Sequence, residues 1–190
     1  MATPASAHLS PEEYLERERK AEFRSEYFRG EVIAMGGASR QHSRIVTNLV
    51  RDFGQQLRTR DCNIYSSELR LSVGQAGMYA YPDIVITCGE EKFVDATFDT
   101  LLNPAVIVEV LSDSTKNYDR GRKFESYRSI PSLSHYITVA QDKKHVEQYT
   151  RQPDGSWLLT EYRDSADCLR LESIEVELQL SELYAKVEFE

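Results

Sequence analysis

Cysteine is scarce in this chain. Cys62, Cys88 and Cys168 are the only three in 190 residues, odd in number, widely spaced and without a CxxC pair. That pattern excludes a zinc cluster and argues for reduced thiols in a cytoplasmic setting rather than a disulfide frame. Long apolar runs are missing as well. No stretch approaches the roughly 18 continuous apolar residues of a membrane span, and residues 1–8 lack the basic and apolar regions of a secretory signal. A basic surplus is also absent, since the net charge is −8, the opposite of the usual footprint of a nucleic-acid binder. The acids are concentrated, however. Residues 154–190 hold ten acids against three bases, which is −7 of the −8, so residues 1–153 are close to neutral at −1. That body can carry a local basic surface. Internal repeats, low-complexity tracts and linkers are lacking, and nothing suggests a nucleotide cofactor or haem. The length suits a single domain over residues 1–190 with a substantial core.

What is present reads as alternating helix and strand. Ser10-Pro11-Glu12-Glu13 is a capping box with proline at the first helical position, so a helix is expected over about 11–21. A short strand follows over 31–35. Gly36-Gly37 breaks it, and Ser39 is placed to cap a helix over 41–59. There Ile45, Val46, Leu49, Val50, Phe53 and Leu57 recur at three and four, a buried stripe. Arg44, Arg51 and Arg58 lie on the other face and read most simply as solvated charge. Strands are expected at 63–66 and 68–73, a loop with a helical turn near 99–102, and a hairpin at 134–140 and 144–150. Further strands are expected at 157–162, 169–171 and 175–178. Tyr136, Tyr149, Trp157 and Tyr162 read as core and cross-strand packing. The fold class is α/β: a mixed central sheet flanked by helices, with a β-rich, acidic C-terminal part.

Two strands and one helix carry the chemistry. The strands are expected over 81–87 and 104–112, and each is an apolar, β-branched run interrupted by one carboxylate, Asp83 and Glu109. Strands of this kind are usually buried under helices on both faces. A carboxylate there is heavily desolvated unless a cation or hydrogen bonds compensate. The 25 residues between Asp83 and Glu109 leave room to make the two strands neighbours. Side by side, the two acids suit an oxygen-seeking cation such as Mg2+ or Mn2+, and such a site suits phosphodiester hydrolysis. The helix expected over 117–128, with Asp113, Ser114 and Thr115 as cap candidates, carries Lys123 beside Phe124 and Tyr127. That leans the lysine towards the sheet, and Asp119 sits one turn before it as an i,i+4 partner.

Pro82-Asp83 followed by Glu109-Val110-Leu111 resembles the PD-(D/E)xK signature of restriction-endonuclease-like nucleases, with Leu111 where that motif has lysine. More specifically, the chain resembles the Uma family of endonucleases, in which the motif lysine has moved to the following helix. The resemblance runs over about residues 9–150. It rests on Glu26-Tyr-Phe-Arg-Gly-Glu31-Val-Ile-Ala-Met35, His42, Tyr81-Pro-Asp-Ile-Val-Ile, Val108-Glu-Val-Leu-Ser-Asp-Ser-Thr115, Asp119, Lys123 and Tyr127. It implies that Asp83 and Glu109 are metal ligands, with the Val110 carbonyl as a third and Lys123 as the displaced catalytic lysine. It further implies DNA as substrate, Mg2+ or Mn2+ as cofactor and a homodimer. Glu26 or Glu31 could supply an additional acid near the metal, but beside a surface turn they read more simply as ordinary solvated or paired acids. His42 could contact phosphate or act as a base, and reads more simply as a capping or packing residue. Two other functions fit the same residues: a non-catalytic nucleic-acid-binding module that keeps the fold, or a protein-interaction domain using the acidic C-terminal part.

Overall fold

The computed structural model describes residues 9–112 and 115–189. The expectations for residues 1–8 and for Asp113 and Ser114 as helix caps fall outside the described residues. Two sheets lie against each other, with one long helix on the outer face of the larger. That helix, α2 (Arg40–Leu57), begins where the Ser39 hydroxyl accepts the His42 N–H. Its apolar stripe (Ile45, Leu49, Phe53 and Leu57) packs on Ile84, Ile86, Val106 and Val108 of the sheet beneath. Phe53 is fully buried there, and truncating a side chain so placed costs about 3–5 kcal/mol.

The larger sheet has the order β11-β10-β9-β8-β6-β3. Its strands are β3 (Cys62–Ser66), β6 (Ile84–Cys88), β8 (Val106–Leu111), β9 (His135–Ala140), β10 (Val146–Arg151) and β11 (Trp157–Tyr162). All neighbours are antiparallel except β8 and β9. A parallel pair needs a crossover, and the helical run over 116–127 supplies it. That run, here α3, winds as Lys116–Tyr118, a wider π-wound middle at Asp119–Lys123, and Phe124–Tyr127. The smaller sheet has the order β2-β1-β5-β4-β7, from β1 (Ser25–Phe28), β2 (Glu31–Ala34), β4 (Arg70–Val73), β5 (Met78–Ala80) and β7 (Thr100–Leu101). α1 (Pro11–Glu18) starts at the Ser10–Glu13 capping box and rests Tyr14 on Tyr27. At the C-terminal end β12 (Cys168–Leu171), β13 (Val176–Gln179) and α4 (Leu180–Leu183) close the core under α2.

Several expectations change. The central strands are covered by helices on both faces, but the C-terminal hairpin and the smaller sheet share that cover. β8 has α2 and the C-terminal hairpin on one face, and α3 with the smaller sheet on the other. The strand expected over 81–87 begins only at Ile84, because Pro82 cannot donate to the ladder and residues 81–83 link β5 to β6. Asp83 therefore stands just before β6 instead of within it. Strand β1 was not expected at all, and the loop near residue 100 contains the short strand β7, parallel to β4. The hairpin expected at 134–140 and 144–150 forms as β9 and β10, and β11 adds to it as the edge of the central sheet.

The cysteine expectation is corrected as well. Cys62 and Cys88 stand opposite each other on β3 and β6 and are joined by a disulfide, with Cα atoms 4.0 Å apart. A sequence separation of 26 hides a pairing that the strand register makes direct. Cys168 is a free thiol. The case for a reducing compartment from cysteine usage therefore falls away. The aromatic reading holds: Phe124 stacks on Tyr136 at 5.1 Å and tilts against Tyr149 at 4.2 Å. Arg51 pairs with Asp52 and lies 3.6 Å from Glu182, as expected of a solvated charged face.

Candidate functional site

Strand register brings the predicted carboxylates together. Ile84 pairs with Val108, so the position opposite Asp83 is Glu109. Glu109 in turn pairs with Thr138 on β9. Paired positions share a sheet face, and this face is the one covered by α3. Asp83 is tied at both oxygens. Its Oδ2 accepts the Val110 N–H at 2.7 Å, and its Oδ1 lies 2.9 Å from His42 Nε2. An ionised carboxylate can only accept, so the imidazole donates in that contact.

Glu109 sits deeper. Its Oε1 accepts from Lys123 Nζ at 3.1 Å and from the Tyr127 hydroxyl at 3.0 Å. Lys123 is buried, and its ammonium also meets Glu26 Oε1 at 2.8 Å and Asp119 Oδ1 at 3.3 Å. All four charged side chains are less than a tenth exposed. Each comes from a different part of the fold for a local reason. Glu109 interrupts the apolar alternation of β8. Asp119 and Lys123 are the two ends of the π-wound turn, a feature frequent at functional sites. Glu26 alternates with buried Tyr27 on β1, so it points out of the smaller sheet towards α3, where it also accepts the Tyr81 N–H at 3.3 Å.

Electrostatics follow from that crowding. Burial pushes the Glu109 carboxyl well above the usual carboxylate range. Lys123 opposes the shift, while Asp119, Asp83 and Glu26 add to it. Burial alone would lower the Lys123 ammonium, but Glu109, Glu26 and Asp119 outweigh it and hold it well above its ordinary value. Burial, followed by Glu109, keeps the Tyr127 hydroxyl protonated and donating.

The structure thus joins Glu109 to Lys123, places Asp83 one position past the β6–β8 ladder, and sets the Val110 amide, not its carbonyl, against Asp83. It draws in Glu26, which the sequence reading set aside as a surface acid, and His42, read there as a capping or packing residue. Tyr127 was read only as packing. Glu31 stays out: it is exposed and lies 3.7 Å from Arg122. A second group, His145, Glu147 and Glu161, brings ligand atoms within 4.8 Å of one another. Its acids are already matched. Arg120 and Thr138 donate to Glu147 at 2.7 and 2.8 Å, and Arg163 and His145 contact Glu161 at 2.9 Å.

Two sheets meeting over a crossover helix, with strand carboxylates facing a buried lysine, define a mixed α/β domain of restriction-endonuclease-like build. The chain belongs to the Uma2 family, whose profile, described as "Putative restriction endonuclease", matches residues 11–183. Two proteins of Synechocystis sp. (strain ATCC 27184 / PCC 6803 / Kazusa) are similar to it. The uncharacterized protein sll1609 is 38% identical over 85% of this chain and 91% of its own length. The uncharacterized protein slr1290 is 38% identical over 95% of this chain and 94% of its own. Among solved structures, the fold matches the crystal structure titled as a putative nuclease belonging to DUF820 from Anabaena variabilis ATCC 29413. There the TM-score is 0.79 at 18% identity, covering 95% of this chain and 99% of that one. At that identity the likeness speaks for the fold. No helix among the described residues is long and apolar enough to cross a membrane.

Proposed function

We propose that this chain is a divalent-metal-dependent nuclease that hydrolyses DNA phosphodiester bonds. Asp83, Glu109 and the Val110 carbonyl hold Mg2+ or Mn2+, and Lys123 stabilises charge or activates water. The observation that carries the reading is the charge imbalance. Glu26, Glu109 and Asp119 surround one buried ammonium, and Asp83 stands in register beside Glu109. Unmatched buried carboxylates are costly, and a hard, oxygen-seeking cation is what an all-oxygen donor set of carboxylates and a carbonyl accommodates. The residues present therefore fit the metal that restriction-endonuclease-like enzymes generally use. Bound there, such a cation polarises a phosphoryl oxygen and acidifies a water.

The chain's own groups do the rest. The Val110 N–H and His42 fix the Asp83 carboxylate in one orientation. Tyr127 and Lys123 do the same for Glu109. Glu109, Glu26 and Asp119 hold Lys123 protonated, ready to face negative charge developing on a phosphate. The reading also takes the protein as a homodimer in a cytoplasmic setting, and the edge strand β11, with Leu158 and Leu159 exposed, offers a surface for the second copy. Light scattering that returns a monomer mass would remove the dimer. For the chemistry, plasmid DNA is incubated with the protein and magnesium or manganese. Cleavage that chelator abolishes and Lys123→Ala slows supports the assignment. Intact plasmid under all conditions contradicts it.

A further inference from the structure

The outward side of α3 borders a groove of about 750 Å3 between that helix and the turn end of the smaller sheet. Its walls carry Arg29, Arg120, Arg122 and Arg128 against a single acid, Glu125. In a chain of net charge −8 this is a concentrated cationic surface. Arg29 and Arg128 have no carboxylate within 4.0 Å among the described residues, and Arg122 has only Glu31 at 3.7 Å. Only Arg120 is closely matched, by Glu147 at 2.7 Å. Two phenylalanines line the groove, and their rings are already taken. Phe28 lies under the Arg29 and Arg122 guanidiniums at 5.2 and 4.8 Å. Phe124 lies under Arg128 at 5.4 Å and stacks on Tyr136. Planar guanidiniums held over rings are preorganised forks, the geometry suited to phosphate oxygens. The occupied rings leave no free stacking platform for unpaired bases.

We infer that this groove binds the phosphodiester backbone of duplex DNA independently of sequence, positioning it for the site on the inner side of α3. The inference rests on the nuclease reading for its substrate. The groove adjoins that site: Arg122 precedes Lys123, and Phe28 lies one strand repeat beyond Glu26. Contacts to phosphate fix register and orientation without reading bases.

The test measures binding of labelled duplexes of unrelated sequence by fluorescence anisotropy, in chelator, across a salt series. Cleavage with magnesium is assayed separately. Each arginine that meets a phosphate contributes about 0.9 to the slope of log affinity against log salt. Arg122→Ala and Arg128→Ala should each flatten the slope by that amount, and Arg122→Lys and Arg128→Lys should retain it, which separates lost charge from lost folding. Arg58→Ala, at an exposed position just past the end of α2, should leave it unchanged. Unrelated duplexes of equal length should bind alike. The inference is overturned if the groove variants keep the parent slope, if Arg58→Ala flattens it equally, if one duplex is preferred more than tenfold, or if no salt-dependent binding occurs. Binding that is lost in the groove variants without any cleavage upholds the groove and removes the nuclease reading. Cleavage by a protein whose groove variants bind as the parent does removes the groove alone.

Discussion

Two carboxylate clusters share one face of the central sheet, and they are built to opposite rules. Register carries a polar row from Asp83 and Glu109 through Thr138 to Glu147 and Glu161. At the outer end every acid has its own cation: Glu147 has Arg120, and Glu161 has Arg163 and the His145 ring. At the inner end three buried acids share Lys123, and among the described residues the Asp83 carboxylate meets an imidazole and an amide and no arginine or lysine. A fold under pressure for stability alone would match or delete such charges, since buried ions are rarely worth their desolvation. The outer cluster is structural by this measure, and the inner one keeps an imbalance that a bound cation would relieve. Strained sites of this kind are where function opposes stability.

That contrast can be broken by substitution. The largest effect is expected from Lys123→Ala. Removing one preorganised charge stabiliser should slow plasmid cleavage about a hundred- to thousandfold, whereas Arg163→Ala in the outer cluster should leave the rate unchanged. Comparable rates for the two variants would erase the distinction. Next comes pH. The folded Glu109 carboxyl is raised above its unfolded range. Its contribution to stability is therefore fully present below the ordinary glutamate pKa and is lost as pH rises through the folded value. In chelator, urea unfolding should show that loss in the parent. In Glu109→Gln, whose amide oxygen still accepts from Lys123 and Tyr127, the loss should be absent. A parent and variant with parallel pH profiles would show that Glu109 is not the strained group. The smallest effect belongs to the outer pair. Glu147 is buried beside the partly exposed Arg120, but glutamine keeps an oxygen for the Arg120 and Thr138 donors, so Glu147→Gln should cost only about 0.5–1.5 kcal/mol. A larger loss in urea unfolding would mean that the outer cluster is not the matched, inexpensive one.

Much of this was legible in the sequence, and the misses have physical causes. Period-three-and-four apolar spacing placed α2, and the Ser10 box placed α1, because both signals are local. Asp83, Glu109 and Lys123 stood out because charge in an apolar strand, or on the packed side of a helix, conflicts with its surroundings. Glu26 did not, because β1 is four residues long and its partners, β2 and β5, are set by tertiary pairing. The Cys62–Cys88 bond was hidden likewise: it depends on the register of β3 with β6, which no spacing rule gives. The break at Pro82 was visible as a proline, yet the β-branched run after it argued for one continuous strand.

The central claim is that the inner acids await a cation, and thermal unfolding with and without magnesium tests it most directly. If the dissociation constant is about 1 mM, then about 10 mM magnesium should stabilise the folded chain by about 1.4 kcal/mol. For a domain of this size that is a rise in Tm of roughly 3–6 °C. In Glu109→Gln the rise should vanish, while Glu147→Gln should keep it in full. A parent whose Tm ignores magnesium, or a rise that survives in Glu109→Gln and disappears in Glu147→Gln, would contradict the account.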